Sequence, residues 1–541
     1  MSSEPRGDAM YDYVIVGAGS AGCVLASRLS EDPDVRVLLL EAGGPDSDDL
    51  VQIPAAFPAL LRTDRDWDHS TAPERECDNR RLFLPRGKVV GGSSSMNATI
   101  YIRGHRSDYD EWRQLGCEGW GWDDLLPYFK RAEDNERGAS ALHGVGGPLA
   151  VSDVRDRNAI QQAFIDAAAA HGLPVNDDFN GPDQEGVGWY QTTTRDGWRA
   201  SAAEAYLHPA ASRPNLTIET RVHALNVIFD RTRAIGVAGV RLDERLVFRA
   251  EREVILCAGA YGSPQLLMQS GIGRPDELDQ VGIWSIAELP GVGRNLQDHP
   301  FAEIVFLTNR EDTLFGAFND ANFELLEQGQ GPLTASGLHA GGFARTGDGI
   351  DVPDVQLYCI PGLLRDEGLV PAHAPGVTLA AAVTKPASTG YVALASPDLT
   401  AKPLIVHNYY AEAEDLRTQV AAIRLCMEIA RTQPLAGHIG EPYQYPASDS
   451  DEDIAAMLRR YTSSGLHATS SCKLGVDELA VVDLDLRVRG VDALRVVDAS
   501  VMPSVPRGNT NAPTIAIAEK AADLIRGRRP LREESAEAGV A

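Results

Sequence analysis

The chain has no long hydrophobic run. None of its apolar stretches approaches the roughly 18 residues that a membrane-spanning helix needs. Its first residues, MSSEPRGDAMYDY, lack the basic region and apolar core of a secretory signal. We therefore expect a cytoplasmic protein without a transmembrane segment.

Positive charge is also scarce. Lysine and arginine number 50 against 77 aspartates and glutamates, which gives a formal net charge of −27. Such a field repels nucleic acid and anionic lipid and favours solubility. We expect no nucleic-acid partner, and the excess of acid does not identify a substrate.

Cysteine is sparse and shows no pattern. The number is odd and no C-x-x-C pair occurs, as the positions show: Cys23, Cys77, Cys117, Cys257, Cys359, Cys426 and Cys472. These spacings argue against a disulfide framework or a zinc knuckle and favour free thiols in a reducing compartment. Neither a metal-ligand cluster nor a solenoid repeat is visible, so we expect no metal.

What the chain does have is length. With 541 residues the chain is longer than a single hydrophobic core supports, which indicates two or more domains that can be interleaved in sequence. A hydrophobic content of 43% and a charged content of 23% are typical of a globular protein.

The most informative motif lies near the start, in YVIVGAGSAG and the following VRVLLLEAG. A run rich in valine and isoleucine indicates a buried strand, and Gly17, Gly19 and Gly22 then open a helix as G-x-G-x-x-G. Glu41 follows 19 residues after the last glycine (41 − 22), where a carboxylate can bind ribose hydroxyls. Because a helix N-terminus also favours phosphate, these features together predict a dinucleotide site. The acid disfavours the 2′-phosphate of NADP.

A second glycine-rich segment, GKVVGGSSSMNATIYIRG, occupies residues 87–104. Small residues at this density allow the backbone to approach a flat, bulky group. A flexible linker is the alternative interpretation, because glycine and serine dominate such linkers. The apolar residues directly on both sides of GGSSS favour the first interpretation.

The remaining pattern predicts two kinds of sheet. REVILCAGAYGSPQLLMQSGIG repeats the strand-to-helix pattern, with a helix expected to begin near Pro264, so the nucleotide domain draws on separate pieces of sequence. Alternating segments between about 301 and 459, namely VQLYCI, VTLAAAVT and YVALAS, predict an antiparallel sheet with one covered face. A long helix is predicted from Glu412 to Arg431. The chain then returns through a strand ending at Asp498 and a final helix.

Five motifs in this order resemble the glucose-methanol-choline (GMC) flavoprotein oxidoreductase family over about residues 11–528. They are GAGSAG with Glu41, GKVVGGSSSMNATIYIRG, GAYGSPQLLMQSGIG, VGRNLQDHP and VVDASVMPSVPRGNTNAPTIAIAEKAADLI. The resemblance implies an α/β fold: an interrupted Rossmann-type FAD-binding domain (p-hydroxybenzoate hydroxylase-like) with an antiparallel-sheet substrate domain. We assign 10–155, 205–300 and 462–528 to the FAD-binding domain, 156–204 and 301–461 to the substrate-binding domain, and 529–541 to a flexible tail.

The resemblance also implies the cofactor contacts. The expected FAD-binding residues are Gly17, Gly19, Ser20, Ala21, Gly22, Glu41, Ala42, Trp67, Val89, Gly91, Gly92, Asn97, Ala98, Ile100, Val222, Asp498, Ala499, Asn509 and Thr510. Some relatives attach the flavin covalently through a histidine in the GGxSSxN segment. This chain has Met96 there, so we expect non-covalent FAD.

Alcohol oxidation requires removal of the hydroxyl proton and transfer of the α-hydride to flavin N5. We predict that His467 is the general base, because imidazole titrates near neutral pH and small polar residues surround it in SSGLHATSSCKLG. The resemblance pairs this histidine with Asn509, whose amide can donate to the alkoxide or accept from the hydroxyl.

Other candidate residues receive lesser roles. We expect His299 to position backbone beneath the cofactor and His339 to line the substrate cavity. Cys472 is expected to pack rather than react, and Asn511 to belong to the flavin pocket or the helix start. Domain packing is expected for three tryptophans, Trp112, Trp120 and Trp122.

The leading hypothesis is therefore an FAD-dependent oxidase or dehydrogenase of a primary or secondary alcohol, with oxygen or a dye- or quinone-like compound as electron acceptor. The alternative is a hydroxynitrile lyase-type enzyme of the same fold. A photodecarboxylase is disfavoured by the His–Asn pair, and a non-enzymatic flavin-binding role is the least specific option. The substrate stays open, and choline is among the candidates by family resemblance.

Overall fold

A computed structural model describes residues 10–364 and 368–531. The predicted tail, 529–541, lies outside the described residues from 532 onward. In chain order the α-helices are α1 Ser20–Leu29, α2 Asp49–Gln52, α3 Arg106–Gln114, α4 Trp122–Ala132, α5 Ala159–His171, α6 His208–Ala210, α7 Gly259–Gln269, α8 Pro275–Gln280, α9 Asp320–Glu327, α10 Ala413–Arg431, α11 Asp451–Tyr461 and α12 Asn511–Ile525.

The strands are β1 Met10–Val16, β2 Val37–Leu40, β3 His69–Ser70, β4 Phe83–Leu84, β5 Glu133–Asn135, β6 Leu149–Val151, β7 Gly186–Trp189, β8 Thr194–Arg195, β9 Trp198–Arg199, β10 Leu216–Glu219, β11 His223–Asp230, β12 Arg233–Arg241, β13 Glu244–Leu256, β14 Ile272–Gly273, β15 Ala287–Glu288, β16 Pro300–Leu307, β17 Ala340–Ala344, β18 Val355–Ile360, β19 Gly376–Val383, β20 Tyr391–Ala393, β21 Leu404–Val406, β22 Pro442–Gln444, β23 Ser463–Ser464 and β24 Leu494–Val496. Short 3₁₀ turns occupy Pro54–Leu60, Gly92–Ser95, Pro332–Thr334, Leu435–Gly437 and Ala499–Val501, and a π turn occupies Ala203–Leu207.

The first large sheet has the order β10-β2-β1-β13-β12-β11, and β24 also pairs with β13. Strands β10, β2, β1, β13 and β24 pair in parallel, whereas β11 and β12 form an antiparallel extension. The paired central parts of β1, β2 and β13, namely 14–16, 37–40 and 254–256, are apolar and buried, as parallel strands are when helices cover both faces. Because β24 comes almost 240 residues after β13 (494 − 256 = 238), this sheet is interrupted in sequence.

The second large sheet has the order β22-β16-β19-β18-β17-β7, with β23 also on β16, and every pairing in it is antiparallel. Alternate residues of β18 face opposite layers. Leu357 packs with α5 and α10, whereas Tyr358 packs with Phe301 and with Ile100 of the glycine-rich segment. Both faces are thus buried, not one as expected, because the other domain covers the second face. The predicted α/β class, with an interrupted Rossmann-type sheet and an antiparallel second sheet, is confirmed.

Two local predictions need correction. Helix α7 begins at Gly259, so Pro264 lies inside the helix rather than in its first turn. The segment containing Tyr391–Ala393 pairs only with β21 in a separate two-stranded sheet and does not join the large one. The long helix predicted from Glu412 to Arg431 is confirmed, because α10 covers Ala413–Arg431 with Glu412 as its N-cap.

The domain boundaries stay a prediction. Strand β23 pairs with β16 of the second sheet although it lies just inside the segment assigned to the FAD-binding domain. Within residues 10–364 and 368–531, no helix combines the length and apolarity that a bilayer crossing requires.

Candidate active site

One cavity of about 650 Å³ is lined by residues of both large sheets, including Val16 and Leu40 of the first and Phe301 and Tyr358 of the second. It brings together most of the predicted site residues. Those on its wall are Gly17, Gly19, Ser20, Ala21, Glu41, Ala42, Trp67, Gly92, Asn97, Ala98, Ile100, Val222, His467, Asp498, Ala499, Asn509 and Thr510.

Three predicted contacts, Gly22, Val89 and Gly91, are buried behind the wall instead. A Cβ on Gly22 would lie 1.9 Å from the carbonyl oxygen of Gly17, so only glycine lets α1 pack against the turn after β1. The Gly91 N–H donates to the carbonyl of Ala18 at 2.7 Å, which fixes the second glycine-rich segment against the first. These residues shape the wall rather than face the cavity.

Gly17 has a φ of +101° that a side chain would strain. A Cβ there would also lie 2.5 Å from the carbonyl oxygen of Cys257, at the end of β13. The turn after β1 therefore packs directly on the neighbouring strand, and α1 begins at the cavity wall.

Two helices direct their N-termini into the cavity. Neither α1 nor α12 has a side-chain cap or an acidic residue in its first turn, and Ser20 Oγ donates to Asn511 Oδ1 at 2.7 Å to join them. Free N–H groups and the helix dipole give each end an affinity for anions. The arrangement therefore suits a group with two adjacent negative charges, such as a diphosphate.

Two buried carboxylates lie on the same wall. Glu41 accepts hydrogen bonds from the N–H groups of Ala18 at 2.9 Å and Gly43 at 2.8 Å. Burial nevertheless raises the pKa of Glu41 to about 7. Asp498 accepts from Gly259 N at 2.9 Å and Ser263 Oγ at 2.5 Å, so it caps α7, and burial raises its pKa as well.

The backbone at His467 is set by the pairing of β23 with β16. Gly465 N–H donates to the carbonyl of His299 at 2.7 Å, and Thr469 pairs with Gln297 on the other side. Leu466 has a φ of +64°, so the chain turns sharply just before the histidine. This antiparallel pairing places His299 and His467 side by side, although they are far apart in sequence.

A chain of hydrogen bonds fixes the tautomer of His467. Gln356 Nε2 donates to Asn509 Oδ1 at 3.1 Å, and Asn509 Nδ2 then lies 3.0 Å from His467 Nε2. An amide nitrogen only donates, so His467 Nε2 is the acceptor and carries no proton. The proton of the neutral ring is on Nδ1, which donates to His299 Nδ1 at 2.8 Å.

Asp298 holds both histidines by their backbones. One oxygen, Oδ1, accepts from His467 N at 2.7 Å and from His299 N at 2.9 Å, while Oδ2 accepts from Tyr409 at 2.5 Å and from Ser464 Oγ. Burial raises its pKa, but the fields of His407 and Arg86 and these hydroxyl donors outweigh burial, so the carboxyl pKa lies below its usual range.

The two rings are neutral at neutral pH. His467 opens onto the cavity, so part of its surface is accessible, while the surrounding protein still withdraws it from bulk water. Burial lowers the pKa of His467 to about 3, with a further contribution from His299, and burial lowers the pKa of His299 to about 4. A neutral imidazole with a bare Nε2 in a cavity can accept a proton from a bound hydroxyl.

Comparison with known proteins identifies the family. The family model described as GMC oxidoreductase matches the chain over residues 11–301, and a second GMC oxidoreductase model matches residues 386–518. The chain belongs to the GMC oxidoreductase family. The predicted resemblance is thereby confirmed, and with it the assignment as an oxidoreductase.

Individual GMC relatives match over nearly the whole length. Alcohol dehydrogenase (acceptor) of Pseudomonas putida is 42% identical over 527 residues, covering 95% of this chain and 96% of the relative. Mitochondrial choline dehydrogenase of Homo sapiens is 43% identical over 546 residues, covering 98% and 91%. The crystal structure of pyridoxine 4-oxidase from Mesorbium loti has a TM-score of 0.88 and 33% identity, covering 96% of this chain and all of that one (100%).

Some site features of this GMC oxidoreductase have no sequence signal. The sequence predicts only a backbone role for His299. Neither its ring contact with His467 nor the hydrogen bonds of Asp298 and Gln356 can be read from the sequence. Asp298 and His299 lie 169 and 168 residues before His467, and Gln356 lies 153 residues before Asn509, so no local pattern joins them. The motif QDHP was the one available pointer to Asp298 and His299.

The other candidates lie as follows. His339 was expected to line the cavity, but it lies off the wall and stacks on Trp189 with ring centroids 5.7 Å apart. It directly precedes β17, whose first residue, Ala340, pairs with Trp189 of β7. Cys472 is buried and its pKa is raised well above the usual value, which fits packing. Asn511 begins α12 at the cavity wall. The tryptophans are buried in the first core, away from the cavity wall: Trp112, Trp120 and Trp122.

Proposed function

We propose that this protein oxidises a primary or secondary alcohol to the carbonyl compound, with non-covalently bound FAD as cofactor. The observation that carries the proposal is the bare Nε2 of His467, held beside Asn509 on the wall of a cavity that also contains two uncapped helix N-termini. A base and an anion-binding wall in one cavity are what a flavin-dependent alcohol oxidation requires.

The residues present fit FAD. The N-termini of α1 and α12 suit its diphosphate, and each oxygen of Glu41 keeps a lone pair for a ribose hydroxyl beyond its backbone hydrogen bond. Met96 lies on the cavity wall at the position where some relatives have a histidine, and a thioether offers no nucleophilic nitrogen. This supports dissociable FAD. When bound, FAD supplies the two-electron acceptor for the hydride that leaves the alcohol carbon.

The protein's own part is proton transfer and positioning. The hydroxyl of a bound alcohol takes the place of the Asn509 amide at His467 Nε2 and donates its proton there as the α-hydrogen leaves. Asn509, still held through its oxygen by Gln356, donates to the substrate oxygen. His467 keeps its Nδ1–H on His299 throughout, so the ring does not rotate. General-base catalysis of this kind contributes ~10² to 10⁴ in rate.

The electron acceptor and location complete the proposal. Oxygen or a dye- or quinone-like compound reoxidises the enzyme, and the protein works in the cytoplasm. Assays with oxygen and with an artificial dye as acceptor separate the oxidase from the dehydrogenase activity.

Anaerobic addition of an alcohol to the FAD-loaded protein tests the proposal. We expect the visible flavin absorbance to disappear with the wild type. In His467→Ala, FAD should stay bound while flavin reduction slows ~10²- to 10⁴-fold. His171→Ala, in the last turn of α5 and outside the cavity, is the matched control and should behave as the wild type. Unchanged reduction in His467→Ala would reject the assignment of the base.

A further inference from the structure

We propose that Arg199 is a buried positive charge that stabilises the bound flavin in its reduced, negatively charged state and so raises its reduction potential. The proposal rests on the FAD binding proposed above, and it gives a function to a side chain that lies off the cavity wall. Its basis is the burial of this guanidinium without an anionic partner.

Arg199 ends strand β9 and is 2% exposed. Its Nε donates to the carbonyl of Val51 at 2.8 Å. Nη1 donates to the carbonyl of Asn97 at 2.7 Å and to Asn97 Oδ1 at 2.9 Å, and it lies 3.3 Å from the carbonyl of Ser94. Nη2 is buried and has no hydrogen-bond partner among the described residues. The partners of this cation are thus neutral oxygens.

A second buried arginine shows what Arg199 lacks. Arg103 Nη2 donates to the Glu133 carboxylate at 2.5 Å. Burial lowers the pKa of Arg103, but Tyr101 and Glu133 outweigh burial, so this pKa is raised. For Arg199 burial lowers the pKa to about 9, which still leaves the guanidinium charged at neutral pH. A buried cation without an anion is unfavourable, and proteins retain such groups mainly at functional sites.

The second glycine-rich segment connects the two functional ends of the cavity. At one end it lies against the start of α1, because a Cβ on Gly92 would be 2.7 Å from Gly19 Cα. At the other end Ile100 packs with Tyr358, which bonds the side chain of Asn509. The segment therefore runs from the anion-binding helix N-termini to the proposed base.

Arg199 acts on the middle of this segment. Asn97 lies on the cavity wall between the two ends, and the guanidinium lies directly behind it. In FAD the isoalloxazine ring lies beyond the diphosphate, and its N5 has to reach the alcohol carbon at His467. The ring therefore belongs along this middle part, and we assign the charge of Arg199 to the ring rather than to the diphosphate.

The proposed reaction creates a negative charge that needs a permanent partner. The alcohol carbon gives its hydrogen with both electrons to FAD, and the hydroxyl gives its proton to His467. The flavin gains one negative charge and the imidazole one positive charge. Burial lowers the pKa values of His467 and His299 to about 3 and about 4, so neither ring keeps that proton at neutral pH. A guanidinium stays charged after the proton has left.

Two other cations line the cavity itself. Lys402 Nζ lies 3.0 Å from the carboxylate of Asp68, which compensates its charge. Arg86 donates to the carbonyl of Leu466 at 2.8 Å and lies over the ring of Tyr261, 5.2 Å from its centroid. Arg86 is partly exposed, so solvent screens its charge more than that of a fully buried guanidinium. It is the competing source of positive charge.

The reduction potential of the bound flavin tests the proposal without any alcohol. The FAD-loaded protein is reduced slowly in the presence of a reference dye, and both spectra are followed. We expect Arg199→Gln to bind reduced FAD, relative to oxidised FAD, at least tenfold more weakly than the wild type, which lowers the potential by ~30 mV for a two-electron couple. Arg199→Lys keeps the charge without the forked hydrogen bonds and should recover most of this shift. An unchanged potential in Arg199→Gln would overturn the proposal.

Matched variants exclude a purely structural effect. Arg213 also bonds neutral oxygens, the Ser27 carbonyl and Ser30 Oγ, but at the far end of α1 and off the wall, so Arg213→Gln should keep the wild-type potential. Equal shifts in Arg199→Gln and Arg199→Lys would mean that the hydrogen bonds matter and not the charge. A shift in Arg86→Gln with none in Arg199→Gln would assign the effect to Arg86.

The proposal stays testable if Arg199→Gln loses FAD. Arg199→Met removes the charge together with every donor, so it leaves no buried N–H group unpaired and takes the place of the glutamine variant. The wild type offers a second measurement, because its bound flavin should have a higher potential than free FAD. A wild-type potential at or below that of free FAD would reject the proposal on its own.

The same measurements separate this proposal from the function on which it rests. A lowered potential in Arg199→Gln, together with no flavin reduction by any alcohol, would reject alcohol oxidation and retain the role of Arg199. Reduction by alcohols in every variant, with unchanged potentials, would reject only the role of Arg199. A wild-type protein that binds no FAD would reject both.

Discussion

The Nδ1 atoms of His299 and His467 lie 2.8 Å apart, so one of these two nitrogens carries a proton and the other accepts it. Asn509 donates to the far side of His467, which leaves the shared proton on His467 Nδ1. A neutral imidazole, that of His299, thus orients the proposed base His467. A neutral partner holds the tautomer without attracting a second proton to the site.

If His467 is the base as proposed, His299 is a positioning residue, and its loss should slow proton removal. His299→Leu leaves the buried Nδ1–H of His467 without an acceptor, which costs ~1–3 kcal/mol and lowers kcat roughly 5- to 150-fold. His299→Asn offers a side-chain oxygen as acceptor and should recover most of the rate. Steady-state kinetics at saturating alcohol, with FAD content measured in parallel, checks both. Equal losses in the two variants would mean that ring packing matters, not the hydrogen bond.

The acid limb of the kcat/KM profile should lie below pH 6.5. The proposed base, His467, can accept a proton only when it is neutral. Burial lowers its pKa to about 3, so the ring stays neutral as the pH falls through the ordinary imidazole range. The profile of kcat/KM reports groups of the free enzyme. A decrease in kcat/KM that begins at pH 7 or above would show that the base is not an imidazole whose pKa is lowered by burial.

Acid should destabilise the fold through its buried histidines. Burial lowers the pKa of His339 to about 4, and it also lowers those of His69, His299, His407 and His467. In the unfolded chain these rings bind protons near pH 6.5. Their contribution to the free energy of unfolding is therefore complete above that pH and is lost as the pH falls toward the pKa values of the folded state.

His339→Phe isolates one such ring away from the cavity. Phenylalanine can keep the stack on Trp189 and does not titrate. From a folded pKa of about 4, the wild type should lose ~2 kcal/mol more unfolding free energy than the variant between pH 8 and pH 5. Denaturant unfolding at the two pH values measures this difference. Parallel losses in both proteins would exclude His339 as a contributor.

Glu41→Gln should weaken FAD binding. Each oxygen of Glu41 accepts a hydrogen bond from one backbone N–H group. The amide of a glutamine would place its own N–H group against one of these donors, so that hydrogen bond would be lost. We expect the FAD dissociation constant to rise at least tenfold, measured by titration of the apoprotein. Glu219→Gln is the control, because Glu219 ends the adjacent strand β10 and lies off the cavity wall. Equal weakening by both substitutions would point to general damage at that sheet edge.

The parts of this site that sequence predicted are those with local patterns. Strand, turn and helix around Gly17, and the acid at Glu41, follow each other within 30 residues. Gly17 and Gly22 are each required by a close approach of neighbouring backbone. His467 and Asn509 could be named because family motifs mark their segments. Helix α10 was predictable because its apolar residues repeat with helical period.

What escaped prediction depends on contacts between distant segments. His299 contacts His467 because β23 pairs with β16 in a particular register. Neither short segment has a sequence pattern that predicts this register. The orienting bond from Gln356 depends on the same assembly. Burial of both faces of the second sheet was not predicted, because alanine and glycine make up most of β17 and half of β19, and small residues do not distinguish one covered face from two.

The bond from Ser20 to Asn511 joins positions 491 residues apart. During synthesis the anion-binding wall can close only after the ribosome has passed Asn511, which lies 491 residues after Ser20. A nascent chain that stops before α12 contains the complete GAGSAG turn but lacks the second of the two helix N-termini that form the anion-binding wall. Loading of the proposed FAD therefore has to follow synthesis of α12, and truncations before this helix would yield colourless protein.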